Sequence, residues 1–169
     1  TAAEIDLLEL TLQCSEQWAS RAEQKNICYS QELPGTPLKL QGNAEYLRQA
    51  FFNIFDNAIK FTPSGGAITL TLKKENNIAV YSIEDTGIGM NHEELTRCFE
   101  EFYRARNQKT RKISGTGLGL SIVQRIITAY AGRIEVKSKP DKGTQFMIYL
   151  PVWLWFGGFG SNGLWGSGC

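Results

Sequence analysis

Three groups of residues have types and spacings that could do chemistry. In the stretch NIFDNAIK, Asn53, Asn57 and Lys60 fall at i, i+4 and i+7, which places two amides and an ammonium on one stripe of a helix. Amide oxygens are hard ligands that can join phosphates and waters around a magnesium ion, and a lysine neutralises phosphate charge. In EDTGIGM, Asp85 ends a strand with the same parity as Tyr81 and Ile83, so its carboxylate should point inward, where it needs a donor. An adenine amino group is one such donor, and Gly87 and Gly89 would let the backbone pass close to a planar base. In ISGTGLGLSIV, Gly115, Gly117 and Gly119 directly precede a helix, where free N–H groups and the helix dipole can hold phosphate oxygens.

Each group also has a plain reading. The helix stripe could be a solvated face with an Asp56 to Lys60 ion pair, and the Asp85 segment could be an ordinary turn after a strand. The glycines fit neither of two well-known phosphate loops. A dinucleotide pattern would need glycine at Leu120, and a P-loop needs a following Gly-Lys pair that is absent. Ala58, Ile59 and Lys60 echo the lysine motif of eukaryotic-type protein kinases, but no His-Arg-Asp or Asp-Phe-Gly accompanies them.

The elements that must position these residues follow from periodicity. Ile5 to about Gln24 predicts an amphipathic helix with Leu8, Leu12, Cys14, Trp18 and Ala19 on its apolar side. Ile27 to Leu33 and Leu38 to Leu40 are short strands around the turn residues Pro34, Gly35 and Pro37. Asn43 caps a second helix to about Phe61, whose apolar stripe is Leu47, Ala50, Phe51, Ile54, Phe55 and Ala58. Ile68 to Leu72 and Ile78 to Asp85 form an antiparallel hairpin. A short acidic helix covers His92 to Arg97, and Arg104 to Ser114 is polar and cationic. A helix over Leu118 to Tyr130 and strands Arg133 to Ser138 and Thr144 to Leu150 close the domain at Pro151. This order predicts an α+β, two-layer sandwich: one mixed, mainly antiparallel sheet with helices on one face.

In order, NIFDNAIKFT, DTGIGM, FEEFYR and GTGLGLSIV resemble the N box, first glycine box, F box and second glycine box of the catalytic and ATP-binding domain of sensor histidine kinases, in the GHKL superfamily. The resemblance covers most of residues 1 to 151 and implies the Bergerat ATP-binding fold. It also implies that Asn57 coordinates magnesium, that Asn53 supports metal and phosphates, and that Lys60 contacts phosphate. Asp85 would bond the adenine amino group. Gly87 and Gly89 would shape the base pocket, and Gly115, Thr116, Gly117, Leu118, Gly119 and Leu120 would hold the polyphosphate. Arg104 would reach the terminal phosphate, and about Arg104 to Ser114 would be a mobile ATP lid. Phe99, Phe102 and Tyr103 would anchor that lid, dock a partner domain or serve the core.

The implied activity is histidine kinase phosphotransfer from ATP in two-component signal transduction, with a response regulator downstream. The phosphoacceptor would lie on a separate dimerising helical domain, because the single histidine, His92, follows the first glycine box and is not placed as a phosphoacceptor. Dimerisation in the family belongs to that helical domain, so this chain is expected to be monomeric. Related ATPases resemble one another in a glutamate at the position of Asn53; an amide cannot serve as that general base. A GHKL-type ATPase, or a nucleotide-binding interaction module without kinase activity, remains the alternative.

Composition sets the bounds. The 169 residues, 42% hydrophobic and 21% charged, suit one globular domain. A net charge of +1 provides no broad basic field for nucleic acid. The four cysteines are scattered, so zinc binding is not expected and reduced cytosolic thiols are. No secretory leader is visible and no run reaches the ~18 apolar residues of a membrane span, so a cytoplasmic location is expected, in a parent that could be anchored in the inner membrane. Residues 152–169 are rich in glycine and tryptophan, carry no charge and have no periodicity. They read as an appended artificial or disordered tail, or as a native segment that packs on an apolar surface.

Overall fold

A computed structural model describes residues 3–152. In chain order the elements are β1 (Ala3–Asp6), α1 (Leu7–Gln24), β2 (Cys28–Glu32), β3 (Lys39–Gly42), α2 (Ala44–Phe61), β4 (Ala67–Glu75), β5 (Ile78–Asp85), α3 (His92–Arg97), α4 (Gly119–Ala129), β6 (Arg133–Lys139) and β7 (Gly143–Pro151). The main sheet has the order β2-β4-β5-β7-β6. Only β2 and β4 are parallel, and the chain passes from one to the other through α2, as a parallel crossover requires. The other pairs are antiparallel.

The inner face of the sheet offers Ile68, Leu70, Leu72, Tyr81, Ile83, Ile148 and Leu150, all buried. Helices α1, α2 and α4 supply the opposing layer. Phe51 on α2 stacks on Tyr81 at 3.9 Å between ring centroids, and Phe55 stacks on Trp18 of α1 at 5.0 Å. These aromatic pairs fix how α2 lies on the sheet, and so where its polar stripe points. Its start is set by Asn43, whose Oδ1 accepts from Glu45 N at 2.9 Å. Its end is held by Lys25, the C-cap residue of α1, which donates to the carbonyls of Ile59 at 2.6 Å and Lys60 at 3.2 Å. The expected apolar stripe of α2 is buried throughout.

Four expectations need correction. The first helix begins at Leu7, because Asp6 caps it through Leu8 N at 2.9 Å and a cap residue keeps extended backbone. Ile5 therefore lies on β1, opposite Leu40 of β3. The buried stripe of α1 is Leu7, Leu10, Cys14, Trp18 and Ala22, whereas Ala19 is exposed and Leu12 is 49% exposed. A two-stranded β1-β3 sheet stands apart from the main one, so the strands form two sheets. Val152, grouped with the tail by composition, is buried and donates its N–H to Asn77 O at 2.9 Å. The rest of that tail, 153–169, lies outside the described residues. Among the described residues, no helix is long and apolar enough to cross a membrane.

Candidate functional site

A cavity of about 260 Å³ opens between α2, the loop after β5, and the segment that joins α3 to α4. Asn53, Asn57 and Lys60 line one side of it, from a single stripe of α2. All three are half-buried, as expected of side chains aimed across the mouth of a cleft. Asn53 is held in place by donating from Nδ2 to Gly119 O at 3.4 Å, which ties α2 to the start of α4. Lys60 pairs with Asp56 Oδ2 at 2.8 Å, and Arg21 of α1 reaches the other carboxylate oxygen at 2.5 Å. Burial pushes the Asp56 carboxyl up, but hydrogen bonds from Lys60 and Arg21 outweigh it and hold the group below its ordinary range. The Asp56 to Lys60 pair of the plain reading is therefore present, and Lys60 still faces the cavity.

At the deep end, Asp85 is 6% exposed. Its Oδ1 accepts from Gly87 N at 2.8 Å and Thr144 N at 3.2 Å. Burial pushes its carboxyl up to about 6, against those two N–H donors, which pull it down. Both protein donors sit on one oxygen, which leaves the other able to take a donor from the cavity that Asp85 lines. The walls beside it are apolar: Ile88, Met90, Phe146 and Leu120. A largely apolar wall with one buried acceptor suits a heteroaromatic base that carries an amino group.

The glycines divide into two kinds. A Cβ at Gly87 would meet the Phe61 carbonyl and sit 2.8 Å from Asp85 Oδ1, and one at Gly89 (φ +65°) would run into the Lys139 carbonyl. The close approach that these residues permit is thus to protein backbone, and Gly87 does not line the cavity. Gly117 (φ +75°) likewise packs on the backbone of Phe102, whose N–H donates to Gly117 O at 2.9 Å. By contrast, a Cβ at Gly115 would meet nothing within 4 Å, and one at Gly119 only Asn53 Cγ at 3.9 Å. These two leave open space next to the N-terminus of α4, where no side chain caps the helix. Uncapped N–H groups beside open space make an anion cradle. Thr116 lines the cavity with them, whereas Leu118 does not.

The F-box aromatics take three separate roles. Phe99 packs edge-on against Phe146 at 6.3 Å, Tyr103 lines the cavity under the Arg97 guanidinium at 4.3 Å, and Phe102 is 70% exposed. Arg104 lines the cavity and donates to Ile113 O at 2.7 Å, so it pins together the two ends of the segment expected to form a lid. That segment is built around a buried residue, Thr110, although its composition suggested little to fold around. His92 is exposed in the first turn of α3. Thr144 and Glu94 also line the cavity, and neither was picked out by sequence reasoning. Glu94 had a local signal, because Asn91 and Glu94 have capping-box spacing; Thr144 acts through its backbone and had none.

Among the described residues, no group of three or more His, Cys, Asp or Glu side chains could hold a metal ion by itself. A magnesium ion in this cavity would have to rest on amide oxygen, water and ligand phosphate. That fits Asn57 and Asn53, since magnesium commonly keeps its waters and takes few protein ligands.

Residues 42–154 match the family described as "Histidine kinase-, DNA gyrase B-, and HSP90-like ATPase". The chain is 34% identical over 146 residues to the sensor histidine kinase RppB of Synechocystis sp., an alignment that covers 86% of this chain and 32% of RppB. The chain thus spans about a third of that relative. Among solved structures it is similar to the mycobacterial sensor histidine kinase MprB, at 27% identity and a TM-score of 0.76, over 90% of this chain and 98% of that one. It is also similar to full-length ShkA in complex with AMPPNP, at 29% identity and a TM-score of 0.76, over 90% of this chain and 31% of that one.

Proposed function

Because this chain belongs to the histidine kinase-, DNA gyrase B- and HSP90-like ATPase family, as a histidine kinase ATP-binding domain, we propose that it binds magnesium-ATP and transfers the γ-phosphate to a histidine on a separate dimerising domain. The observation that carries this reading is one cavity with a buried base acceptor, Asp85, at its deep end and an amide, Asn53, where a hydrolytic relative would need a base. In this reading the free oxygen of Asp85 accepts a hydrogen bond from the adenine amino group. The N–H groups at the start of α4, opened by Gly115 and Gly119, hold polyphosphate oxygens. Lys60 and Arg104 add positive charge at the outer end, and the Lys60 ammonium is steadied by Asp56. Asn57, with Asn53 beside it, would hold the magnesium ion, which when bound draws charge from the phosphates.

The Asn53 amide cannot take a proton from water, and the nearby Asp56 carboxylate is tied to Lys60 and Arg21, so the cavity favours an acceptor nucleophile delivered from outside. His92 is exposed on α3 and does not line the cavity, so the acceptor would come from the helical domain of the same kinase, with a response regulator next in line. A cytoplasmic location belongs to the same proposal.

Transfer of labelled γ-phosphate to a supplied dimerisation and phosphoacceptor domain tests it. Labelling of that domain at histidine is expected, undiminished in His92→Ala. Steady hydrolysis without a partner would instead indicate an ATPase, and tight nucleotide binding without transfer a binding module.

A further inference from the structure

Glu94 is a carboxylate that the nucleotide reading leaves unused, although it is 8% exposed and lines the cavity. Its two oxygens do different things. Oε2 accepts from Asn91 N at 2.9 Å and closes the capping box of α3. Oε1 accepts from the side-chain amide of Asn107 at 2.7 Å, a residue thirteen positions on, inside the segment 104–114.

Asn107 in turn organises that segment. Its Oδ1 accepts from Lys109 N at 2.9 Å and Thr110 N at 3.0 Å, and its own N–H donates to Thr110 Oγ1 at 3.0 Å. Thr110 completes the knot by donating to Ala105 O at 2.5 Å. The amide of Asn107 thus works at both ends, its oxygen on the turn and its nitrogen on Glu94. A second tie to the body of the fold is the Lys109 to Asp141 ion pair. Both of its side chains are more than half exposed, so solvent and salt screen it. The bond to Glu94 is part-buried and has an ionic acceptor, the stronger kind of hydrogen bond.

We propose that Glu94 is a positioning residue: through Asn107 it latches the segment 104–114 onto α3 and so sets how readily that wall of the cavity opens. The consequence for nucleotide exchange rests on the nucleotide reading above, but the latch itself does not.

The residues allow a donor–acceptor reversal as a test. Asn107→Asp keeps an oxygen for the turn and sets a second carboxylate against Glu94. Glu94→Gln keeps an oxygen for Asn91 N and turns an amide toward the lid. Each single change breaks the latch, and the double change Glu94→Gln with Asn107→Asp restores a donor–acceptor pair with its direction reversed. Arg104, Arg106, Lys109, Arg111 and Lys112 make the segment a row of trypsin sites, so limited tryptic cleavage of the full chain without nucleotide reports opening directly.

Cleavage within 104–112 is expected to rise roughly tenfold in Asn107→Asp, the scale of one lost charge-assisted hydrogen bond, and to return near the parent rate in the double variant. Parent-like cleavage in Asn107→Asp, or a double variant as labile as the single, would overturn the latch. So would equal opening in Asp141→Asn, which would transfer the role to the exposed ion pair. Release of a fluorescent ATP analogue is expected to quicken in step with cleavage. A parent chain that binds no such analogue would overturn the nucleotide reading while the cleavage pattern still decided the latch.

Discussion

Asp85 on β5 and Thr144 on β7 are direct partners in the antiparallel register, and the Thr144 N–H donates to the Asp85 carboxylate at 3.2 Å instead of pairing only with backbone. A buried carboxylate at a sheet end is held there by two backbone donors and, among the described residues, by no cation. Its carboxyl sits at about 6, above the ordinary 3.8, so between those values the folded state holds more proton than the unfolded one. This group's contribution to stability is therefore greatest below about pH 4, falls as pH rises to about 6, and stays low above that. The full effect is ~3 kcal/mol as an order of magnitude. Asp85→Asn, which keeps an acceptor for both N–H groups, is expected to unfold at higher denaturant than the parent at pH 7.5 and to lose that advantage at pH 4. Parallel pH curves for the two proteins would refute the assignment. The same variant is expected to bind ATP more weakly.

Asn57→Ala removes an amide from a half-buried position on α2 whose opposite face carries the core, and alanine favours the helix. The circular dichroism spectrum should be unchanged. Magnesium-dependent ATP affinity should fall at least ~10-fold, or ~1.4 kcal/mol, with little change when the ion is chelated. Calorimetric titration with and without magnesium separates the two, and equal affinities in parent and variant would remove Asn57 from the metal site.

Gly115→Ala and Gly117→Ala should part company. Gly115 has empty space where its Cβ would be, so its variant should melt with the parent, within ~0.5 kcal/mol, yet bind nucleotide less well. Gly117 combines φ +75° with Phe102 backbone 2.8 Å away, so its variant should lose ~1–3 kcal/mol of stability before any ligand is added. Denaturant unfolding without ligand, followed by nucleotide titration, reads both outcomes.

Asp56 should respond to acid in the opposite sense to Asp85. Its folded value is held below the ordinary 3.8, so its contribution is present above that pH and is lost as pH falls through the folded value. Arg21→Ala removes one of its two partners and should reduce this acid-side loss, by less than ~1 kcal/mol because the pair is partly solvated. Denaturant midpoints at pH 7 and pH 3 measure it.

Much of this was legible in the residue order because the signals were local. The N-cap at Asn43, the apolar stripe of α2, the hairpin around Asn76 and the limits of α3 each follow from side chains acting within a few positions. The start and buried face of the first helix are not fixed by periodicity, because Leu8 and Leu12 match a helical period as well as Leu7 and Leu10 do. Only the partner surface, Phe55 against Trp18, chooses between them. The separate β1-β3 pair was hidden for a similar reason: a four-residue strand carries no sign of which sheet it joins.

The site divides along the same line. Residue type and spacing by themselves determined that Asn53, Asn57 and Lys60 share one stripe, that Asp85 points inward, and that Gly115, Gly117 and Gly119 cluster at the start of a helix, since such patterns are local. Tertiary packing decided what each glycine is for, because a missing Cβ has meaning only beside the atom it would strike: Phe61, Lys139 and Phe102 backbone at three positions, open cavity at Gly115 and Gly119. It also decided that Thr144 holds Asp85 and that Glu94 holds Asn107. Those bonds join segments 59 and 13 residues apart, and no local pattern encodes a distance that only the folded sheet and helices bring down to about 3 Å.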